Sequence, residues 1–397
     1  MRAPPLYYAF RRRVMFFADQ VGLWCDARTV GAYRFRDPRL QRSARRLPQV
    51  AGSLVHVLKL LPRLDAVRLE GPGWSAVYVG DTHLSRELEH LLFPDGASRL
   101  ALPRVPAWGL PSFVSREVTR ADIVVCALPR VWPAPWRPAG PMAFTCPIMV
   151  NAMHDIRPPI EELLRGAARE PIRRQLKSTL RAGLTPRLTR QRAELEHFYL
   201  NMYRPHIQRR HGERALISSL EDHWTQWIAP GGQLLLLELD GRPLAGVLYR
   251  LVGSTCLAGE EGIAQTPEAG EYGYGLRATL KFTMIEHARA AGATELLAGR
   301  SLARCADPVL ASKLQLRPDV TPPERCLHPE WTFVTEGRNV PLRDHLNAQG
   351  LIAFAGDRPC VVSIGQPAEH SRRMATKLGG MLVVEPGRRS IVDAAGA

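Results

Sequence analysis

The sequence predicts a protein of the α/β class, in its α+β form, with two halves of mixed, mostly antiparallel sheets flanked by helices. Two observations support this prediction. Short apolar runs with the patterning of strands alternate with amphipathic segments of helical periodicity. The length of 397 residues also exceeds what one ordinary hydrophobic core accommodates, so two domains are expected.

The clearest strand signal is a hairpin in the second half of the chain. Residues 233–239 (QLLLLEL) and 244–251 (LAGVLYRL) are apolar runs joined through Asp240-Gly241. An Asp-Gly dipeptide between such runs is typical of a tight hairpin turn. The elements predicted after it are a strand at 254–259, a helix at 276–291 and a strand at 295–299.

Other elements are predicted on both sides of the middle of the chain. A helix over 158–182 carries Arg173, Lys177 and Arg181 on a stripe beside its apolar stripe. This helix is interpreted either as a surface helix that joins two halves or as a basic ridge that faces phosphate groups. The remaining predicted elements are strands at 75–79 and 121–128, a helix at 83–93, and a helix at 191–211 that Pro205 kinks or ends.

These elements suggest a division of the chain into four parts. The predicted parts are an N-terminal half at 1–157, a connecting helix at 158–183, a C-terminal module at 184–325, and strands and a tail at 326–397 that complete the second half. Within the first part, residues 1–48 are basic and irregular, which predicts a solvated arm or a docking surface.

The chain is strongly basic, with a formal net charge of +15. Most of the excess is Arg, which binds phosphate groups through paired hydrogen bonds. The charge therefore favours an anionic partner, such as a phosphorylated cofactor, a nucleic acid or an acidic surface. An Arg-, Ala- and Pro-rich composition is equally typical of a GC-rich genome.

The cysteines and the apolar segments indicate a cytoplasmic protein. None of the seven cysteines forms a C-x-x-C pair, and their odd, scattered positions fit reduced thiols. The N-terminus does not resemble a signal peptide, because Asp19 and Asp26 interrupt the segment after the first arginines. No apolar stretch reaches the length of a membrane span, so no stable membrane insertion is expected.

The order of elements carries a resemblance to a known family. Helix, Asp-Gly hairpin, third strand, Gly-rich turn, helix and strand resemble the core of the GNAT acyltransferase superfamily. The passages that carry the resemblance are FYLNMYRPHIQRRHG at 198–212, LLLLELDGRPLAGVLYR at 234–250, GEYGYG at 270–275 and GRSLARCADPVLASKLQL at 299–316. They are similar to the bacterial acetyltransferase-like domain related to Fem-type aminoacyl transferases, which implies two GNAT-like halves.

The glycine-rich passage before the predicted helix is the candidate cofactor site. Gly270, Gly273 and Gly275 would let a diphosphate approach the backbone and the N–H groups of the helix N-terminus. The passage follows an antiparallel hairpin, which argues against a dinucleotide fold. The resemblance implies that it binds the pyrophosphate of coenzyme A, although Gly270 stands where the family has Arg or Gln. The predicted cofactor-binding residues are Gly270, Gly273, Tyr274, Gly275, Leu276 and Arg277, and a simple connection is the alternative interpretation.

Candidate catalytic residues lie on both sides of this passage. Glu260 and Glu261 end the third strand, where many GNAT enzymes carry the general base. Adjacent strand residues point to opposite faces, so at most one of the two faces a central cleft. Tyr272 or Tyr274 could protonate the leaving thiolate, although ordinary packing is also typical of tyrosines. The resemblance further implies that Lys313 contacts the substrate or its carrier.

A basic group after Pro205 is the candidate site for an acceptor or an anion. Arg209, Arg210 and His211 are predicted to lie on a loop, where they would suit an acidic acceptor or a phosphate, or form a solvated surface. His206 and His211 lie five residues apart with no third ligand in the pattern, so no metal site is predicted.

The favoured function is N-acyl transfer from acetyl-CoA or another acyl-CoA to an amine. The amine would belong to a small molecule or to a precursor of the cell envelope. Aminoacyl-tRNA is the alternative donor, as the resemblance to Fem-type proteins implies and as the basic helix favours. A catalytically inactive protein that retains the fold for binding is the third hypothesis.

Overall fold

The computed structural model describes residues 64–80, 82–106, 109–129, 142–165, 170–212, 217–314, 316, 318–322, 329–365, 369–378, 380–385 and 388–393. The basic segment 1–48 lies outside these ranges. Among the described helices, none combines the length and the apolar composition that spanning a bilayer requires. The chain forms two compact units, the first from the described residues of Met1–Val150, Ser301–Ala311 and Val320–Ala397, the second from Asn151–Arg300 and Ser312–Asp319.

Strands and helices alternate along the described chain. The elements are β1 (Leu64–Gly71), β2 (Trp74–Gly80), α1 (Thr82–Leu92), β3 (Ser98–Val105), α2 (Leu110–Glu117), β4 (Ile123–Pro129), β5 (Met142–Pro147), β6 (Met149–Asp155), α3 (Ile160–Leu163), α4 (Glu170–Arg181), β7 (Thr185–Thr189), α5 (Arg192–Phe198), a π-helical segment (Tyr199–Tyr203), α6 (Arg204–His211), α7 (Leu220–His223), a second π-helical segment (Trp224–Ile228), β8 (Gln233–Leu239), β9 (Arg242–Val252), β10 (Thr255–Ile263), α8 (Pro267–Tyr272), α9 (Tyr274–Ala290), β11 (Glu295–Leu302), α10 (Pro308–Leu314), β12 (Asp319–Thr321), β13 (Pro329–Thr335), α11 (Val340–Gln349), β14 (Ile352–Ala355), β15 (Arg358–Ile364), α12 (Glu369–Leu378), β16 (Gly380–Glu385) and β17 (Arg388–Asp393).

The first unit contains two mixed sheets. One sheet has six strands in the order β3-β1-β2-β4-β13-β5. The other has four strands in the order β14-β15-β16-β17. Each sheet has a parallel pair, β2 with β4 and β15 with β16, beside antiparallel strands. The buried rings of Phe144 on β5 and Phe333 on β13 stack at 4.9 Å, which ties these neighbouring strands together.

The structure places β13 in a different unit from the one that the predicted division of the chain assigns to it. Residues 326–397 were expected to complete the C-terminal half, whereas β13 pairs with β4 and β5 inside the first unit. An apolar pattern typical of a strand indicates that the segment is buried, but it does not indicate in which sheet the strand pairs. That choice depends on pairing between residues some 200 positions apart, for which local pattern carries no information.

The second unit contains most of a sheet with the strand order β12-β6-β11-β10-β9-β8-β7. Strands β7 to β10 form an antiparallel meander, and β11 is parallel to β10. The predicted Asp-Gly turn joins β8 and β9, with positive φ at Asp240 (50°) and Gly241 (74°) as a tight hairpin turn requires. The predicted hairpin, third strand, helix and following strand are all confirmed within a few residues.

Two predicted helices have a different form in the structure. The helix predicted over 158–182 is divided, because α3 ends at Leu163 and α4 begins at Glu170. Both belong to the second unit rather than to a connector, and α4 buries Ile172 and Leu176 there. The helix predicted over 191–211 continues through Pro205, because the π-helical segment before it already interrupts the regular hydrogen bonding.

The predicted fold class is therefore confirmed: mixed sheets with antiparallel and parallel pairs are flanked by helices in both units. The parallel pair of the second unit, β10 with β11, is joined by α8 and α9 in a crossover. This pair positions the site described below.

We expect Phe333→Ala to lower the free energy of unfolding of the first unit by about 3–5 kcal/mol, because it empties a fully buried site between β4 and β5. Leu100→Ala on β3 is the matched control, since that side chain is 60% exposed and its loss should cost about 0.5 kcal/mol or less. Denaturant unfolding of both variants measures the difference. Equal effects would contradict the placement of β13.

Candidate active site

The centre of the second unit is an opening between two parallel strands. β10 pairs with β11 only from Thr255 to Leu257, opposite Glu295 to Leu297. A bulge in β10 between Ala258 and Glu261 then changes its register with β9. Beyond Leu257 the paired partner of β10 is β9 alone, so the facing edges of β10 and β11 leave backbone groups available to a ligand.

Glu261 lies on the side of the bulge that faces α9. Its carboxylate is 3.2 Å from Nε of Arg277, in the first turn of that helix. The Arg277 guanidinium also donates to Nε2 of His206 at 2.6 Å, so this nitrogen of His206 is the acceptor and carries no proton. The positive charge of Arg277 is therefore already engaged by groups of the protein.

Glu260 lies on the other side of the strand, among aromatic residues. Gly259 and Gly262 flank it closely, and their small size lets the Trp227 ring and the backbone of Tyr203 contact β10. One carboxylate oxygen, Oε2, is buried and has no hydrogen-bond partner among the described residues. Burial and, secondarily, the nearby Glu260 carboxylate raise the pKa of Tyr203. Of the two predicted acids, Glu260 is thus the one with a buried oxygen that has no hydrogen-bond partner among the described residues.

The π-helical segments 199–203 and 224–228 form the wall on this side. They carry Tyr199, Tyr203 and Trp227, and a π-helical turn re-aims side chains relative to an α-helix. His223, only 1% exposed, packs edge-on against both tyrosine rings, with centroids 5.4 and 4.6 Å away. Its Nδ1 lies 2.8 Å from the Ser219 carbonyl, whereas Nε2 is buried and without a partner in the described chain.

Lys313 reaches the opposite edge of the opening. Its ammonium group donates to the carbonyl oxygens of Gly299 and Arg300 on β11, each at 3.0 Å. Gly299 and Arg300 lie beyond the part of β11 that pairs with β10. Lys313 therefore contacts β11 where β10 and β11 have separated. The predicted residue thus lies at the opening, as do Glu260 and Glu261.

Two further titratable residues lie beside Lys313. Burial and then the charge of Lys313 lower the pKa of Lys281 on α9 to about 8, and Glu261 only partly offsets them. His154 on β6 is 5% exposed, and neither ring nitrogen has a well-oriented partner among the described residues. Burial, Lys281 and Lys313 lower the pKa of His154 to about 3, while the Leu316 backbone opposes this weakly, so the ring is neutral at physiological pH.

Neither Lys281 nor His154 stands out in the sequence. Lys281 follows Arg277 by one helical turn on α9, and this spacing is the signal that could have revealed it. His154 is one isolated histidine in a short strand, and only the tertiary structure brings it to the lysines.

The glycine-rich passage differs from the predicted open turn. Gly270 lies inside α8, and Gly273, with φ of 42°, joins α8 to α9. Gly275 is buried, and a side chain there would overlap the hydroxyl of Thr179 on α4. The expected exposure of Gly275 to a diphosphate is therefore wrong, because α4 covers it.

The other predicted cofactor-binding residues have mixed environments. Leu276 is fully buried in the core, and Arg277 is engaged as described. Tyr272 ends α8 and is partly buried, while Tyr274 begins α9 and its side chain is outside the described part of the structure. Within the described part of the chain, no side chain caps the N-terminus of α9, a feature that suits an anion.

The predicted basic group lies on a helix rather than on a loop. Arg209 and Arg210 are exposed near the end of α6, and His211 is its last residue, with a side chain that is not described. An anion-binding role for these residues stays a prediction. Across the described residues, no group of three or more His, Cys, Asp or Glu is placed to hold a metal ion.

The two glycines at 270 and 275 provide a matched test of this packing. We expect Gly275→Ala to lower the free energy of unfolding by about 1–3 kcal/mol, because the added methyl group overpacks the contact with Thr179. Gly270→Ala should be neutral or stabilising by up to about 1 kcal/mol. A Cβ added at this position would meet no other side chain or element within 4 Å, and alanine favours a helix. Denaturant unfolding measures both. A harmless Gly275→Ala would mean that α4 does not cover this residue.

No protein-family model and no curated protein sequence matches the chain. Solved structures similar to it include FemX, with 12% identity over 73% of this chain and 92% of that one, at a TM-score of 0.37. L-PGS from Bacillus licheniformis has 15% identity, coverage of 73% and 89%, and a TM-score of 0.34. A tandem GNAT protein from the clavulanic acid biosynthesis pathway has 13% identity, coverage of 80% and 94%, and a TM-score of 0.30.

These similarities concern the fold. The second unit has an antiparallel meander, then a helical crossover to a parallel strand that separates from its partner, which is the order of elements that the sequence predicts. The resemblance to GNAT-like and Fem-type proteins stays a prediction from the sequence.

Proposed function

We propose that this protein is an N-acyltransferase, which moves an acyl group from an activated carrier to an amine in the opening between β10 and β11. The observation that supports the proposal is the unpartnered carboxylate oxygen of Glu260 at this opening. A carbonyl group of the donor would accept hydrogen bonds from the unpaired strand edges. The acceptor amine would approach from the aromatic side.

Glu260 is the general base in this proposal. Its free Oε2 takes a proton from the acceptor amine as the nitrogen attacks the acyl carbon. A C–N bond forms, the bond between the acyl carbon and the sulfur or oxygen of the carrier breaks, and the leaving group takes up a proton. Glu261 suits this role less, because its Oε1 is already engaged in an ion pair with Arg277.

Acyl-CoA is the first candidate donor. The N-terminus of the seventeen-residue helix α9 has no side-chain cap, and such an end attracts a phosphate group. In this case Tyr274, the first residue of the helix, is a candidate acid for the leaving thiolate. The acceptor would be a small molecule or an envelope precursor with a free amine.

Aminoacyl-tRNA is the second candidate donor, and a specific observation favours it. The glycine that would come closest to a diphosphate, Gly275, is covered by Thr179. On α4 itself, Lys177 and Arg181 are exposed and make no ion pair with the described residues, while Arg173 pairs with Glu170. An exposed pair of cations on a helix suits the phosphates of a nucleic acid.

We expect Glu260→Gln to reduce kcat at least a hundredfold, since general base catalysis contributes on the order of 10²–10⁴ in rate. Glu261→Gln is the matched control and should retain most of kcat. The change in kcat is measured as transfer from acetyl-CoA to a panel of primary amines, monitored by the release of free thiol. Transfer from aminoacyl-tRNA is measured in parallel. Transfer that persists in Glu260→Gln would remove the base from the mechanism, and no transfer from either donor would favour an inactive binding protein.

Salt dependence separates the two donors. If tRNA is the carrier, its binding should weaken steeply with salt, and Lys177→Glu with Arg181→Glu should reduce the slope of log affinity against log salt by about 1 for each lost phosphate contact. Arg372→Glu with Arg373→Glu reverses two exposed charges on α12 and serves as the control. Filter binding over a series of salt concentrations gives the slopes. A wild type that retains acetyl-CoA but not tRNA at low salt would exclude the second donor.

A further inference from the structure

Three side chains connect the bulge of β10 to helix α6. The Arg277 guanidinium lies between the other two: its Nε is 3.2 Å from Oε1 of Glu261, and its Nη2 donates to Nε2 of His206 at 2.6 Å. A guanidinium is planar and rigid, so contacts at two of its nitrogens fix the orientation of the whole group. In this Arg277 bridge, formed by Glu261, Arg277 and His206, the histidine therefore limits where the other two side chains can lie.

The place of Arg277 in α9 explains why it needs both contacts. Arg277 lies in the first turn of that helix, where the positive end of the helix dipole disfavours a cation. The Glu261 carboxylate offsets this charge, and the unprotonated Nε2 of His206 accepts one further N–H of the guanidinium. A second cation in place of the neutral ring would destabilise the Arg277 bridge.

A second contact joins the same elements on the other side of β10. Gly262 packs so closely on the π-helical segment 199–203 that a side chain there would overlap the backbone of Tyr203. This segment runs directly into α6, and His206 follows Tyr203 by three positions. β10 is thus held to one short stretch of chain at two points, by backbone packing at Gly262 and by the Arg277 bridge.

The two attachments hold the part of β10 that contains Glu260. The register of β10 with β9 changes between Ala258 and Glu261, and a bulge of this kind sets the direction of the side chains within it. Because Glu261 is held on the side of α9, Glu260 is left on the side of the π-helical segments. If the Arg277 bridge opened, the bulge would lose one of its two attachments.

We propose that His206 is a positioning residue: it acts through Arg277 to hold the bulge of β10 in the form that leaves Glu260 on the side of the π-helical segments. The arrangement is sensitive to acid, because only the unprotonated ring can accept the hydrogen bond from Arg277. That the held arrangement serves acyl transfer rests on the proposed function, whereas the holding itself depends only on these contacts.

The Arg277 bridge should open as the pH falls. An imidazole takes up a proton between about pH 8 and about pH 5. The charged groups around His206 are Arg277 from α9, Glu261 behind it on β10, and Arg209 and Arg210 one turn further along α6. A protonated His206 loses the acceptor at Nε2 and places a positive charge against the guanidinium. The holding effect is therefore present above this range and lost below it.

Melting temperatures of the full chain at about pH 8 and about pH 5.5 test the Arg277 bridge. His206→Gln supplies an amide oxygen, which accepts a hydrogen bond but does not titrate. This variant should melt like the wild type at the higher pH and roughly 2–4 °C above it at the lower pH. His206→Leu should melt roughly 2–4 °C below both at the higher pH. His197→Gln, which removes an exposed histidine from α5, is the matched control and should behave like the wild type at both.

A second substitution tests whether His206 acts through Arg277. In an Arg277→Met background, His206→Gln should no longer change the pH dependence of melting, because the acceptor has no guanidinium to hold. Effects of the two substitutions that simply add would contradict the Arg277 bridge. If Arg277→Met does not fold, the comparison of His206→Gln with the wild type decides the matter.

The transfer assay tests the effect on Glu260. His206→Leu should lower kcat roughly tenfold or more near pH 8, since a displacement of about 1 Å in a catalytic group costs up to about 10² in rate. His206→Gln should restore kcat. Toward acid, kcat of the wild type should fall more steeply than kcat of His206→Gln, which a merely structural histidine would not cause.

Two outcomes would overturn the positioning role. One is an equal loss of melting temperature in the wild type and His206→Gln on acidification, and the other is a kcat of His206→Leu equal to that of the wild type. In both cases transfer by the wild type would still support the proposed function. The expected melting pattern without transfer from either donor contradicts the proposed function alone, because the holding of the bulge is then present without the reaction.

Discussion

The separation of β10 from β11 is the constraint on which the rest of the second unit depends. Parallel strands normally exchange hydrogen bonds along their whole length, and these two stop after three paired residues. The bulge in β10 makes this possible, because it shifts the register with β9 while that antiparallel pairing continues to Ile263. Buried backbone groups without partners are costly, so an opening of this kind persists where a ligand or water completes the hydrogen bonding.

The same bulge distributes the chemistry of the site between two sides of the sheet. Glu261 meets Arg277 on the side of α9, and Glu260 meets the aromatic side chains of the π-helical segments. Two adjacent acids therefore have different environments: Glu261 is in an ion pair with Arg277, and Glu260 has a buried oxygen without a partner among the described residues. Different environments of this kind are what assign different tasks to chemically identical groups.

The packing of α4 against α9 bears on which acyl carrier the proposed function could use. In the predicted open turn, three glycines would present their backbone to a diphosphate. The structure uses Gly275 for close contact between α4 and α9 instead, which leaves the uncapped end of α9 as the feature for an anion. Under the proposed function, the candidate carrier contacts belong to α4 and α9, the two helices that meet at Gly275.

Much of the second unit was predictable from the sequence. The Asp-Gly hairpin, the strands on either side and the helix after them follow from local pattern, because turn geometry and side-chain periodicity are properties of neighbouring residues. The sequence also named Glu260, Glu261 and Lys313 as candidates, and all three lie at the opening, while their roles stay predictions. Tertiary structure decided that Glu261 pairs with Arg277 while Glu260 does not, that Gly275 is covered, that β13 joins the first unit, and that His154 and Lys281 lie near Lys313. Those outcomes depend on contacts between residues far apart in the chain, and no local pattern encodes them.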